Sequence, residues 1–523
     1  MPRTSRFAIL ALVVMAALPR LFLVLAPRPD LYGPGTLDAP RISVGEEVAR
    51  GSVAAEILRG PLLPVLDYQY DAFSGGTLIE GILAIPPFLL FGQKLWALKL
   101  VPIGMHLAAV ALLFRILDRF VSRRAAWIGG LLLAWTPPGY TILSTVAVGS
   151  HIESNTLALL AVYLFLDLCQ AETGRGWRRA AFGVLAGISA WFNYDCLIFL
   201  IALAIFDFLV DRAFLFRKEM LGLAAGLLVG LVPWLVYNLQ YDFAGLHIYG
   251  KSFAEHVSGS FRGEGPAAKV AEFARSGFPN SFFFRPMLGL GTTALGILCT
   301  AALLGLTLAA AWFLRAEAAA FLARPFRRPA PRVAPNPALI AFVYMIGFVL
   351  AFAITDFEVG RVVENIRQFR YPMTVYPFLY MTAAIGLDRW IELRPALLRP
   401  ASIGVGLLCL LSTAGVVGHC DLPRFGAYVG APGTDPEGMG RWYVTRFCEH
   451  PEKIELLVVN ATRKRTPEQQ AGLYEAMGRI LRYLTAPGHR PSNWDREHMD
   501  DLRRTRELLA ARVPETYRAY FTD

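Results

Sequence analysis

Residues 77–92 read TLIEGILAIPPFLLFG. Whether this stretch crosses a membrane decides the topology of the whole chain. It is about sixteen residues long and carries the pair Pro86-Pro87. A helical span needs roughly 20 apolar residues to cross a hydrocarbon core of about 30 Å. The stretch is too short and too broken for that, and is expected to form an interfacial or re-entrant element.

Outward from it lie further apolar segments near 7–27, 96–114, 125–146, 152–169, 178–194, 196–210, 219–239, 288–314, 338–355, 371–387 and 401–418. The chain has 523 residues, 55% of them hydrophobic and only 18% charged, with a mean hydropathy of +0.44. A soluble domain of this length carries more charge and fewer long apolar runs. The formal charge of +10 is no sign of nucleic acid, because Lys and Arg cluster between the apolar runs. Basic connections lie at 115–124, 174–179, 211–218, 315–332 and 388–400, and the connections near 147–151 and 194–195 have none. Lys and Arg are retained on the cytoplasmic side. With 77–92 counted as a span, the basic loops fall on the wrong sides; without it, eleven spans alternate cleanly. The expected fold class is therefore an all-α polytopic membrane protein of about eleven transmembrane helices, 1–418. Residues 28–95, 240–287, 356–370 and the tail 419–523 are expected outside. The opening 27 residues imitate a signal peptide but lack a clean small-residue cleavage site, and are read as an uncleaved first span.

The tail is polar. Residues 466–487 have helical spacing of Leu473, Met477, Ile480, Leu481 and Tyr483, with Thr466 as N-cap and Pro467 at the first position. A second helix is expected over 498–514. Of six cysteines, Cys169, Cys196, Cys299 and Cys409 read as small apolar side chains. Cys420 and Cys448 are either two thiols or a disulfide, if the tail faces an oxidising compartment. No cysteine or histidine spacing suggests zinc. Asn460-Ala-Thr462 fits a glycosylation sequon, a pattern common by chance.

Ionisable residues near membrane depth are the functional candidates. GEEVARGSVAAEILRG (45–60) sets Glu46 and Glu47 at the start of a short amphipathic pattern whose Val48, Ala55, Ile57 and Leu58 share a face. Two readings stand: acids capping a surface helix, or a catalytic pair. DYQYDAFSGG (67–76) offers Tyr68 and Gln69, which suit sugar hydroxyls or an ordinary aromatic belt. His151 and Glu153 are either an acid/base pair or a satisfied helix start. Arg361, Arg367 and Arg370 stand in an outer loop, against the positive-inside rule, where a guanidinium fork suits a lipid phosphate or pairs with nearby acids. Arg20, beside Pro19 in the first span, is a similar candidate. Lys99 and His106, inside 96–114, are less clear candidates, because a lysine can snorkel back to the outer interface.

In order and spacing these features resemble the GT-C superfamily of polytopic glycosyltransferases. The resemblance is to bacterial relatives of protein O-mannosyltransferases and of the lipid A aminoarabinose transferase. It rests on GEEVARGSVAAEILRG followed by DYQYDAFSGGTLIEG, on RILDRFVSRR (115–124), on GSHIESN (149–155) with AWFNYD (190–195), and on QFRYPMTVYPFLYMTAAIGL (368–387). It covers about residues 7–420. It implies transfer of a sugar, with inversion, from a polyprenyl-phosphate-linked donor to an acceptor hydroxyl on the outer face of a bacterial inner membrane. The implied roles are Glu46 or Glu47 as base, Arg370 with Arg367 or Arg20 on the donor phosphate, and Tyr68, Gln69, His151, Glu153 and Tyr371 around sugar and acceptor. No cofactor is implied. The family's usual pair is Asp-Glu, so Glu-Glu leaves open which carboxylate is the base. No DxD or DxE signature marks a metal site. A transporter or flippase, and an inactive assembly relative, remain alternatives; the former predicts inverted repeats or paired broken helices.

Overall fold

The computed structural model describes residues 3–26, 45–60, 64–69, 72–170, 175–210, 218–241, 243–248, 251–262, 265–272, 274, 292–323, 335–355, 372–434, 436–449, 451–462, 465–488, 496 and 498–522. The helices are α1 (Arg3–Leu25), α2 (Gly45–Arg59), α3 (Gly76–Phe91), α4 (Leu95–Phe120), α5 (Arg123–Ala134), α6 (Pro138–Leu143), α7 (Ser154–Gln170), α8 (Arg175–Phe192), α9 (Asp195–Val210), α10 (Lys218–Gln240), α11 (Phe253–Arg262) and α12 (Pro266–Glu272). They continue with α13 (Thr292–Ala323), α14 (Pro337–Ile354), α15 (Tyr376–Leu393), α16 (Leu398–Gly418), α17 (Pro436–Glu449), α18 (Ile454–Thr462), α19 (Pro467–Thr485), α20 (Met499–Arg512) and α21 (Glu515–Arg518). The protein is an all-α polytopic membrane protein. Among the described residues six helices are long and apolar enough to cross a membrane: α1, α4, α10, α13, α14 and α16 with the turn before it. The stretch 76–91 is a helix, short as expected, with Leu78, Ala84 and Phe88 buried and Leu83, Leu89 and Leu90 exposed.

Three sequence boundaries move. The segment expected as one span over 125–146 is two helices, α5 and α6, parted at Thr136-Pro137-Pro138. Each proline lacks an N–H and steers the residue before it away from helix, so α5 stops at Ala134 and α6 restarts with Pro138 at its first position. The basic connection expected at 115–124 is mostly the last turns of α4, and only Val121 and Ser122 part it from α5. The linker expected at 315–332 is helical through Ala323, because RAEAAAFLA is rich in strong helix formers. At 1.5 Å per residue the 32 residues of α13 run about 48 Å, beyond the ~30 Å core.

Contacts group the chain differently from the division expected at 418/419. One unit holds Met1–Ile42, Pro102–Val236 and Ala254–Tyr428; the other holds Ser43–Val101, Tyr237–Phe253 and Val429–Asp523. In the first, α15 is the central helix, buried from Tyr376 to Gly386 and packed on α5, α13 and α14. Thr307 and Thr382 hydrogen-bond across α13 and α15 at 3.0 Å. Ser122 caps α5 and also donates to Asp388 at 2.7 Å, and Arg124 pairs with the same carboxylate. Helices α8 and α10 meet backbone to backbone along Gly183, Gly187, Gly226 and Gly230; a Cβ on Gly226 would sit 2.1 Å from the Ala180 carbonyl oxygen. Without a hydrophobic drive between helices in lipid, such close approach supplies the packing.

In the second unit α2 packs on α3 and α17, and α17 packs on α19 and α20. The α19 helix starts as the sequence indicates. Thr466 accepts from the Gln469 N–H, and Gln469 returns the bond as a capping box. Leu473, Met477 and Leu481 are buried, but Tyr483 is exposed and Leu484 takes the inward position. The expected helix over 498–514 is α20. Cys420 and Cys448 are both buried.

Replacing Gly226 by Leu should destabilise the protein by about 1–3 kcal/mol or more, by forcing α8 and α10 apart. The same change at Gly305, which has open space around it, should be near neutral. Thermal unfolding in detergent reads both.

Candidate active site

Helix α2 begins at Gly45, so Glu46 and Glu47 lie in its first turn. Glu47 is fully buried, and both its oxygens accept from the Lys99 ammonium, at 2.7 and 2.9 Å. Lys99, on α4, is 2% exposed and turns inward to this carboxylate, so of its two readings the snorkelling one does not hold. Burying two charges costs several kcal/mol each, which close bidentate geometry offsets. Acidic groups in the first turn are also favoured by the helix dipole.

The surface-helix reading of α2 fails. Positions 47 to 56 are all buried, including Arg50, Ser52 and Glu56. The cause is packing on more than one side: Val53 and the Arg50 carbonyl lie against Gly81 of α3, and Gly51 lies against the Gly433 carbonyl. Glu56 pairs with Arg465, and more loosely with Arg59 at 3.5 Å. Burial pushes the Glu56 carboxyl above the ordinary carboxylate value, while Arg465 and Arg59 pull against that shift.

Tyr68 and Gln69 lie in the same unit, but as packing groups. The Tyr68 ring is fully buried and stacks on Trp442 at 5.3 Å. The Gln69 side-chain amide donates to the Ala72 carbonyl at 2.9 Å, and the Gln69 backbone carbonyl accepts from Arg446 at 3.3 Å. Arg446 also donates to the Tyr237 hydroxyl and lies over the Tyr241 ring at 5.0 Å. The Tyr241 hydroxyl donates to Asp67 at 2.7 Å; its proton is held more tightly than usual, chiefly by burial.

The other candidates belong to the first unit. His151 Nδ1 pairs with Asp195, the last residue of the AWFNYD stretch. Glu153 accepts from the backbone N–H groups of Val148 and Ser150, both at 3.2 Å, so it organises the loop before α7. Asn155 donates to the Tyr140 hydroxyl and the Met373 carbonyl. Arg20 is fully buried and donates to Ser144 Oγ at 2.8 Å, Ala16 O at 2.7 Å, Ala134 O at 3.1 Å and Thr136 Oγ1 at 3.0 Å. It therefore satisfies the carbonyl freed by the α5–α6 break, a buried polar group that lipid cannot serve. Four of its five N–H groups point at protein acceptors, which removes it from the phosphate set. Arg361, Arg367, Arg370 and Tyr371 lie outside the described residues. Among the described residues no three His, Cys, Asp or Glu side chains are grouped to hold a metal.

The residues that sequence reasoning missed are the partners. Lys99 had a signal, a charge inside an apolar run. Arg446 and Arg465 had none, because two arginines in a polar tail look solvated until the tail folds.

A family model described as dolichyl-phosphate-mannose-protein mannosyltransferase matches residues 84–237. No curated protein matches the chain. Among solved structures, ArnT from Cupriavidus metallidurans bound to undecaprenyl phosphate is similar, with a TM-score of 0.50 and 15% identity over 88% of this chain and 81% of that one. Apo ArnT from the same organism gives 0.45 and 16%, over 98% and 74%. The apo oligosaccharyltransferase of Archaeoglobus fulgidus gives 0.43 and 14%, over 98% and 68%. The fold is GT-C-like, similar to that of ArnT.

Replacing Lys99 by Met should cost about 3–5 kcal/mol, since it takes away the ammonium that holds a buried carboxylate. Adding Glu47→Leu should recover most of the loss. Thermal unfolding of the two variants in detergent checks the pair.

Proposed function

We propose that the protein is a membrane glycosyltransferase that moves a sugar from a polyprenyl-phosphate-linked donor to an acceptor hydroxyl on the outer face of a bacterial inner membrane. The observation that carries this is the buried Glu47, held by Lys99 in the first turn of α2, at the acidic-pair position of a GT-C-like fold. The similar ArnT structure, bound to undecaprenyl phosphate, supports a lipid-phosphate donor. The acceptor hydroxyl attacks the anomeric carbon. The bond to the phosphate oxygen breaks, configuration inverts, and the polyprenyl phosphate leaves as an anion.

A phosphate leaves without strong protonation, but its charge must be held, and Arg367 and Arg370 are assigned that role. The acceptor proton goes to a carboxylate. Glu47 is committed through both oxygens to Lys99, so it serves as the ionised anchor of the turn, and Glu46 beside it takes the proton. His151, paired with Asp195, is assigned to the acceptor. Tyr68 and Gln69 act through packing.

Purified protein given labelled polyprenyl-phosphate sugars should release polyprenyl phosphate. Glu46→Gln should lower kcat by about 10²–10⁴-fold with the melting temperature unchanged. Undiminished transfer by that variant removes Glu46 as the base, and full transfer by Glu46→Gln with Glu47→Gln sinks the acidic-pair mechanism.

A further inference from the structure

Helix α2 is gripped from opposite sides by two charges of unlike origin. Glu56 follows Glu47 by nine residues, and at 100° per residue the two lie about 180° apart around the helix. Lys99 holds the Glu47 side. On the Glu56 side the grip comes from Arg465, 409 residues further along the chain. Both side chains of this second pair are almost wholly buried, at 5% and 2% exposed.

Arg465 is itself firmly set. Its N–H donates to the Thr462 carbonyl at 3.2 Å, and its carbonyl accepts from the Gln470 amide at 3.1 Å. Thr466, next in sequence, is the N-cap of α19 with a complete capping box. The guanidinium lies over the buried Tyr443 ring of α17 at 5.6 Å. The tail touches α2 a second time through backbone. Ala431 O accepts from the Leu95 N–H at 2.9 Å, and the Gly433 N–H donates to Gln93 O at 3.0 Å. This presses Gly433 so close to Gly51 that a Cβ there would lie 1.7 Å from the Gly433 oxygen.

We infer that Arg465 is a positioning residue that fixes the rotational setting of α2, and through it the Glu46–Glu47 turn. The tail is then a working part of the candidate site's support, not an appendage. Its activity consequence rests on the glycosyltransferase reading; its structural consequence does not. A guanidinium is required because its planar fork can face a carboxylate and an aromatic ring together.

The test uses the full chain in detergent, with Arg465→Met, Arg465→Lys and the double variant Glu56→Leu with Arg465→Met. Hydrogen exchange is followed over 45–59 and, as reference, 467–485. Arg465→Met should raise exchange over 45–59 by at least about tenfold while 467–485 stays protected. The double variant, which buries no lone carboxylate, should restore protection, and Arg465→Lys should restore it only in part. Transfer by Arg465→Met should lose about tenfold in kcat with the donor KM unchanged. Unchanged exchange over 45–59, or an equal rise over 467–485, overturns the inference. Altered exchange over 45–59 in a protein whose wild type transfers no sugar sustains the positioning role and defeats the glycosyltransferase reading alone.

Discussion

Two buried charges facing each other, Glu47 and Lys99, are the constraint on which the candidate site depends. Neither is tolerable alone in this surrounding, so α2 and the start of α4 must meet in one register. That register fixes one side of a helix with hardly any exposed face. Packing on more than one side then buries Arg50, Ser52 and Glu56 as well, with Gly81 of α3 and Gly433 of the tail against the helix. The pair also divides labour between two adjacent acids. Under the proposed reading, Glu47 holds the turn and its neighbour takes the proton.

The same logic governs the second unit as a whole. Segments distant in the chain are joined by arginines that finish hydrogen bonds begun elsewhere. Arg446 serves the Gln69 backbone carbonyl and Arg465 pairs with one oxygen of the Glu56 carboxylate. In the first unit Arg20 does this for the α5–α6 break. Three buried guanidiniums thus act where helices end, break or turn, since an unserved carbonyl or carboxylate is costly there.

Most of the fold was legible in hydropathy. The all-α polytopic character, the six long apolar helices, the shortness of 76–91 and the Thr466 cap follow from local rules that tertiary contacts do not override. The proline pair at 137–138 was equally visible, yet its effect on 125–146 went unread because the run is apolar throughout. The site was legible only in half. An acidic pair in an apolar protein stands out, but its partner is 52 residues away, and residue spacing carries no record of such a contact. Arg20 misled for the same reason. A lone arginine in a span signals a buried anion or a row of carbonyls equally well, and only the helix break distinguishes them. Tyr68 and Gln69 have the chemistry to bind sugars, but the Tyr68 ring stacks on Trp442 of the tail and the Gln69 side-chain amide donates to the Ala72 carbonyl.

The most direct test of the account is a structure of the protein in lipid with a polyprenyl phosphate bound. The account predicts the lipid phosphate at the amino end of α2, beside the Glu46–Glu47 turn, with the Glu47–Lys99 pair intact. A phosphate bound away from that turn, or a Lys99 that leaves Glu47 to take the phosphate itself, would contradict it.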